Sequence, residues 1–575
     1  MVRPQRSPLA LALACSLSAC THSSSTQPSA TPSDASRQTL FSVARPGAIW
    51  THEPGQAGST AEAMLVAEGK VVALGSVDQL RASAPAATLH ELGPVTVLPG
   101  FIDAHVHVRE LGFASTRVNV ESCPDEACMV ARLREAYPAP EPGAWLVGEG
   151  WDEGVWTSRG YPSRAELDAA FPQNPVFLAS LHGFAGLANA AALRAAGIED
   201  ETADPEGGTI VRDARGHATG VLLTLAQGLV RDQLPPPSLD ERAAAILAGL
   251  EQMAAAGVTS VHEAGMKTAD AEAFEALAAR GQLPIRVYGL LDGNDDALVD
   301  SWLARGPMLD AGERLAVRGF KVFYDGSLGS RTALLSAPYA DDPHHARPTE
   351  RISPARIEQL AQRSLAAGFQ LAVHTIGDEA NTRVLDLFEA TFAAAGEPRP
   401  DHRWRLEHAQ VMAPGDFERA ARLGVIANMQ PSHAVGDSVW AEQRLGPERV
   451  TRAYAWRSFL DAGALLVLSS DLPGEPWTPM QTLYFALTRQ DLERSAPPWF
   501  PEQALSVDEA LYAMGVAAAY AGFAEGRLGQ LCSDAWADFV VLDADPRAVE
   551  APAIPEIEVL ETWVAGERVS ATGTR

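Results

Sequence analysis

Two histidines separated by one residue stand in the stretch Phe101-Ile102-Asp103-Ala104-His105-Val106-His107. Residues two apart in a strand point to the same side, so both imidazoles can face one cation. Such a pair is often incidental when it stands alone; Lys321 gives it weight. The chain has three lysines, Lys70, Lys267 and Lys321, within a Lys+Arg total of 45. Lys321 nevertheless sits inside Gly319-Phe320-Lys321-Val322-Phe323, an apolar strand in which a charged amine is costly to bury. Arginine would serve there if positive charge were all that was needed. A primary amine differs because burial can lower its pKa, and the neutral amine can react with carbon dioxide to form a carbamate. A carbamylated lysine offers two oxygens, one for each of two metal ions. The plainer reading of the same residue is a lysine that snorkels to solvent or pairs with Asp325. His374 (in His374-Thr375-Ile376-Gly377-Asp378), His408 (in Arg405-Leu406-Glu407-His408) and Asp471 (in Ser469-Ser470-Asp471) end three more apolar runs. Neutral imidazoles and carboxylates suit zinc or a similar divalent ion.

The elements that must position these residues follow one grammar: an amphipathic helix, a glycine, an apolar strand, then a polar residue. Ser238-Leu239-Asp240-Glu241 reads as a capping box opening a helix to Ala256, since Ser and Glu three apart satisfy each other's backbone donors. Gly257 follows, then the strand Val258 to Val261 leading to His262 and Glu263. Ser353-Pro354 opens a helix that closes at Gly368, before Phe369 to Val373 and His374. The pattern returns as Gly424, Val425 to Met429 and Gln430, and as Gly463, Ala464 to Leu468 and Ser469. Repeated αβ units predict a parallel sheet, closed or doubly wound. In a closed barrel the residues at the C-terminal strand ends gather at one mouth, and no GxGxxG or GxxxxGK(S/T) loop supports a nucleotide-binding sheet instead. An α/β chain with a (β/α)8 TIM barrel over residues 99–524 is therefore expected. The span of about 112–237 is too long for a barrel connection and reads as an insertion. Short strand-like runs in residues 39–98 and 525–575 read as one small β-sandwich made from both chain ends.

The first residues read as a targeting segment. Arg3 and Arg6 precede the apolar run Leu9 to Leu17, and Leu17-Ser18-Ala19-Cys20 resembles a bacterial lipobox. Residues 1–20 are then a lipoprotein signal peptide, Cys20 the lipidated residue, and residues 21–38 a Ser/Thr/Pro-rich tether. This reading gives an exported lipoprotein, periplasmic or at the cell surface, held to the membrane only by its lipid. A cleaved signal with an incidental cysteine is the alternative. Cys123 and Cys128 flank four residues and suit a local disulfide in an oxidising compartment better than a metal site. A formal net charge of −28 argues against a nucleic-acid partner. Nothing in the sequence sets an oligomeric state.

The order H-x-H, Lys, His, His, Asp resembles the binuclear metal-dependent amidohydrolase superfamily, and is more similar to its branch containing N-substituted formamide deformylase. Further matching stretches are Gly150-Trp151-Asp152, Pro162-Ser163-Arg164-Ala165-Glu166-Leu167-Asp168, Asp325-Gly326-Ser327-Leu328-Gly329-Ser330-Arg331-Thr332-Ala333, Met429-Gln430-Pro431-Ser432-His433 and Ser470-Asp471-Leu472-Pro473. The likeness runs from about Thr39 to Val569. It implies a metal-dependent hydrolase cleaving a non-peptide C–N bond, of the amide or N-substituted formamide kind, in a small-molecule substrate. It implies two divalent ions, zinc foremost, with His105 and His107 on one, His374 and His408 on the other, and carbamylated Lys321 between them. Water made acidic by the ions would then attack the carbonyl as hydroxide, while Asp471 takes the proton and passes it to the departing nitrogen. Glu407 and Asp378 are expected to support the ligands, and His262, Asp325, Arg331 and His433 to support them or touch substrate. Trp145, Trp151 and Trp156 could line a pocket or simply pack in a core. Two stretches depart from the branch: His182-Gly183-Phe184 replaces its Asp-Gly-His ahead of Asn189, and Asp534-Ala535 replaces its Gly-Lys. The first bears on substrate contacts and the second on a turn. A one-metal deaminase, an ester or lactone hydrolase, and a non-catalytic surface-binding lipoprotein are the remaining readings.

Overall fold

The computed structural model describes residues 38–572 apart from 46, 53–58, 152–160, 181–184, 206, 311, 345–346, 397 and 399. The leader, Cys20, nearly all of the tether, Asp152, Trp156 and His182-Gly183-Phe184 lie outside the described residues. Among the described residues no helix is long and apolar enough to cross a membrane. The chain divides into two compact units, residues 1–108 with 250–575, and residues 109–249.

The larger unit is organised on eight parallel strands: β1 Phe101–Val106, β2 Val258–Met266, β3 Arg286–Asp292, β4 Leu315–Phe323, β5 Gln370–Thr375, β6 Arg405–His408, β7 Ile426–Met429 and β8 Leu466–Leu468. They pair in chain order, and the sheet is nearly closed. Its two ends meet where Asp471 N donates to His105 O at 2.9 Å and His107 N to Leu472 O at 3.1 Å, with Val106 and Leu472 in a parallel bridge. Helices alternate with the strands, as in a TIM barrel. One shows why: Pro354–Ala367 starts at Ser353, whose side chain accepts from Arg356 N, has proline in its first turn, and ends at Gly368 with φ +76°. That left-handed turn suits glycine and sends the chain straight into β5.

Register fixes which side chains meet. Lys321 lies opposite Asp292 on β3 and Ala372 on β5, His374 opposite Phe323 and Glu407, and Glu407 opposite Asn428. Apart from Ala372, all belong to the C-terminal halves of their strands.

Strands from both chain ends form two further sheets in this unit. One runs Glu567–Ala571, Val559–Val564, Phe539–Leu542, Thr96–Pro99, Ala48–Trp50, Thr60–Ala61; the other runs Lys70–Gly75, Ala63–Ala67, Thr39–Val43, Thr88–Gly93. They share a core that includes Phe41, Met64, Val97, Phe539, Val541 and Trp563. The Phe539 and Trp563 rings stack at 5.5 Å, with Phe41 edge-on to both. Asp534 holds φ +69° in a turn whose N–H reaches Val71 O at 2.9 Å.

The smaller unit carries a six-stranded sheet in the order Gly208–Arg212, Ala218–Thr224, Ala185–Ala188, Val176–Ser180, Leu146–Trp151, Val118–Asn119. Trp151 is fully buried and its Nε1–H donates to Leu178 O at 2.8 Å, while Trp145 packs beside a second core. These two tryptophans fill cores. Asn189 is likewise buried, its Oδ1 accepting from Val176 N and Ala192 N. Cys123 and Cys128 are disulfide-bonded, and Cys532, in the larger unit, is buried and takes part in no disulfide among the described residues.

Candidate metal centre

Lys321 on β4 is 1% exposed, so its amine does not snorkel. Its Nζ lies 3.5 Å from His105 Nε2 and 4.4 Å above the Phe323 ring. Among the described residues no carboxylate pairs with it. Asp325, the partner weighed from the sequence, spends its oxygens on the backbone N–H groups of Leu334, Ile376 and Gly377 at 2.9 to 3.0 Å. A Cβ on Gly377 would sit 1.9 Å from Leu334 O, so glycine permits this close approach of two loops. Burial lowers the Lys321 pKa, favouring the neutral amine.

Around this amine the imidazoles converge. Ring centroids are 5.5 Å apart for His105 and His107, 5.0 Å for His105 and His408, and 4.6 Å for His374 and His408. Asp471, at φ +60°, holds Oδ1 3.5 Å from His105 Nε2 and 3.2 Å from His107 Nε2. Its Oδ2 is 3.8 Å from His408 Nδ1 and 3.7 Å from His433 Nε2. His408 also has positive φ, +75°. In a regular strand Glu407 and His408 would face opposite sides; the left-handed residue ends that alternation, and both take part in the cluster. Two such residues at one mouth are strain of the kind that collects at functional sites.

A buried polar chain fixes the rings. His105 Nδ1–H donates to Glu407 Oε2 at 2.5 Å. Glu407 Oε2 also accepts from Asn428 Nδ2 at 2.7 Å, and Asn428 Oδ1 accepts from Ser469 Oγ at 2.8 Å. Gln430 Nε2 donates to Ser469 Oγ at 2.9 Å, and Gln430 Oε1 accepts from His408 Nδ1–H at 2.9 Å. With both Nδ1 atoms engaged, each Nε2 keeps its lone pair for a cation, as carboxylate- and amide-backed metal histidines do. Below, Arg405 Nε sits 2.9 Å from Glu407 Oε1, and its Nη1 reaches Ala104 O and His262 Nδ1. Burial opposes the Glu407 charge, but Arg405 and His105 outweigh it and bring its pKa down to about 2. Asp103, two residues before His105, accepts from Ser470 N at 3.0 Å and so ties β1 to the end of β8; burial pushes its pKa up to about 7.

The donor set fits divalent metal ions. His105, His408 and Asp471 offer ligand atoms all within 4.8 Å of one another. His374 donates from Nε2 to Gly326 O at 3.1 Å, which leaves its buried Nδ1 with no hydrogen-bond partner. Burial, with Lys321 beside it, lowers its pKa to about 3, and burial likewise holds His105 and His408 below the usual imidazole range. Neutral imidazoles are the ligating form. Asp471 stays ionised because the histidines around it outweigh its burial, and for His107 the same carboxylate outweighs burial and raises the pKa.

The other predicted residues divide. Glu407, Asp325, His262 and His433 join or underpin the cluster. Arg331 does not: its guanidinium is paired with Asp341 at 2.9 Å. Asp378 is drawn instead to Ser336 N at 2.8 Å and to Ser336 Oγ, where it anchors the loop after β4. Sequence reasoning missed Asn428, Arg405 and Asp103. The available signal was parity: Arg405 and Glu407, Asn428 and Gln430, and Asp103 and His105 are each two apart and share a face.

A family model described as the amidohydrolase family matches residues 92–570. The chain is 33% identical over 536 residues to Protein LONG AFTER FAR-RED 3 of Arabidopsis thaliana, covering 88% of each. It is 31% identical over 536 residues to N-substituted formamide deformylase of Arthrobacter pascens, covering 90% of this chain and 96% of the relative. The crystal structure of an uncharacterized metal-dependent hydrolase from Pyrococcus horikoshii superposes with a TM-score of 0.74 at 26% identity, covering 89% of this chain and 99% of its own.

Proposed function

The chain belongs to the amidohydrolase family, and from that premise we propose that it hydrolyses a non-peptide C–N bond, of the amide or N-substituted formamide kind, with divalent ions held at the barrel mouth. The observation that carries this reading is the buried Lys321 amine, 3.5 Å from His105 Nε2, set without a carboxylate partner among the described residues in a ring of imidazoles.

His105 and His107 would hold one ion and His374 and His408 the other, with Lys321 between them as a carbamate and Asp471 at the centre. The carbamate forms when neutral Nζ bonds to the carbon of carbon dioxide and sheds a proton. Bound divalent ions, zinc foremost, would acidify a water to make hydroxide available near neutral pH and draw electron density from the substrate carbonyl. Glu407 and Gln430 hold the His105 and His408 rings in one tautomer, which spares the site reorganisation when it reacts. Asp471 takes a proton from the attacking water as the water oxygen bonds to the carbonyl carbon. It returns that proton to the nitrogen as the C–N bond breaks, leaving a carboxylic acid and an amine.

A one-ion deaminase draws support from the compact trio His105, His408 and Asp471; metal counting separates it from the two-ion reading. The two end sheets with their common core support the reading as one β-sandwich. The leader, with a disulfide between Cys123 and Cys128, supports an exported protein lipidated at Cys20; labelling with a fatty-acid analogue in cells, lost in Cys20→Ser, tests it. The functional test is a hydrolysis panel on the zinc- or manganese-loaded soluble form, beginning with N-substituted formamides and N-acyl amino compounds. Turnover of at least one such C–N substrate is expected; turnover of esters or lactones alone would overturn the reading.

A further inference from the structure

His433 stands at the cluster without belonging to the ring of ligand candidates. It lies on the short helix Pro431–Asp437 after β7, in the larger unit, and its side chain is 18% exposed. Its Nδ1 is engaged by Gln410 Nε2 at 3.3 Å. Gln410 is itself buried and doubly held: its backbone carbonyl accepts from Tyr454 N at 2.6 Å, and its Oε1 lies 3.4 Å from the Tyr454 hydroxyl, which also bonds Asp437. With Gln410 donating to Nδ1, the neutral ring carries its proton on Nε2. That nitrogen is 3.7 Å from Asp471 Oδ2, too far for a hydrogen bond. A held ring with one donor turned to the proton-accepting carboxylate, and not used by it, is placed to serve a reacting group beside that carboxylate.

We propose that His433 is a further catalytic residue, donating from Nε2–H to the substrate carbonyl oxygen as it becomes an oxyanion, and that Gln410 and Tyr454 are the positioning residues that fix its ring. This rests on the hydrolytic reading above. As the water oxygen bonds to carbon, the carbonyl π pair moves onto oxygen, the water proton goes to Asp471, and His433 only hydrogen-bonds the new charge. When the oxygen pair reforms the carbonyl and the C–N bond breaks, His433 is unchanged. Its worth lies in being fixed beforehand, since a preorganised donor needs no reorganisation during the reaction.

The test uses the metal-loaded enzyme and the best substrate of the hydrolysis panel. His433→Phe is expected to lower kcat by about 10²–10³-fold, the usual effect of removing one oxyanion donor, with KM and metal content close to wild type. His433→Gln, whose amide can still donate, recovers part of the loss. Gln410→Leu and Tyr454→Phe lower kcat by about tenfold with KM and metal content unchanged, which loss of a merely structural contact would not do selectively. Wild-type kcat in His433→Phe, or losses of kcat that track losses of bound metal, would overturn the proposal. If His433→Phe does not fold, His433→Ala, which removes the donor, decides in its place: a kcat indistinguishable from wild type counts against the proposal and a kcat-only loss for it. A wild-type enzyme inert on every C–N substrate refutes the hydrolytic reading itself, a separate outcome.

Discussion

Replacing Glu407 with glutamine changes one charge and almost no volume. Glu407 Oε2 accepts from both His105 Nδ1 and Asn428 Nδ2, while Oε1 faces Arg405 Nε. A glutamine oxygen in the place of Oε2 keeps both bonds, but its NH2 group then meets a guanidinium N–H, donor to donor. Breaking a buried ion pair in this way costs about 3–5 kcal/mol. For a cooperative unit of roughly 380 described residues, unfolding entropy near 2.1 cal/mol/K per residue converts that into a fall in Tm of only about 4–6 °C. The larger effect falls on the metal. His105 loses a charged acceptor, its Nε2 becomes a poorer donor, and loss of such a partner typically weakens metal binding by about 10–100-fold. Competition with a chelator of known affinity measures this, alongside thermal unfolding of the apo and loaded forms. If Glu407→Gln binds zinc as tightly as wild type while losing the expected Tm, Glu407 only neutralises Arg405, and its role in tuning His105 is refuted.

Lys321→Met should fold, since it fills the same buried space without a charge, but bind one zinc fewer per chain than wild type; two ions retained in the variant would exclude the bridging carbamate. Acid stability should depend on Glu509, whose pKa is brought down to about 2 because Arg457 and Ser506 outweigh its burial. Its contribution is present above the ordinary value of 4.5 and lost as the pH falls from there toward 2, so the Tm gap between wild type and Glu509→Gln should shrink between pH 5 and about pH 3. A gap that stays constant would contradict the sign. Phe539→Ala empties the ring stack with Trp563 and Phe41 and should destabilise the end sheets by about 3–5 kcal/mol without changing zinc affinity; denaturant unfolding and the same chelator competition check both halves.

The barrel was legible because its signals are local and repeated. Ser353, Pro354 and Gly368 mark one helix in sequence and bound it in the structure. Apolar runs ending in His374 and Asp471 give strands whose C-terminal ends come together. Lys321 was readable because a rare residue stood where burial is costly. The hydrogen-bond chain was harder to see: Asn428 and Ser469 look like ordinary polar residues until register sets one against Glu407 and the other beside Gln430. Arg331 illustrates the converse. It lies in one of the stretches that carry the resemblance, yet its guanidinium is paired with Asp341, ten residues on. Motif membership fixes the neighbourhood of a side chain, and only tertiary pairing fixes its direction.

Diffraction from crystals loaded with zinc, recorded on both sides of the zinc absorption edge, locates the ions without reference to activity. Two anomalous peaks are predicted, each about 2.0–2.1 Å from imidazole nitrogens of His105 and His107 or of His374 and His408, with density for a carboxylated Lys321 Nζ between them. Zinc bound elsewhere, or a bare lysine amine flanked by no ion, would contradict the account at its root.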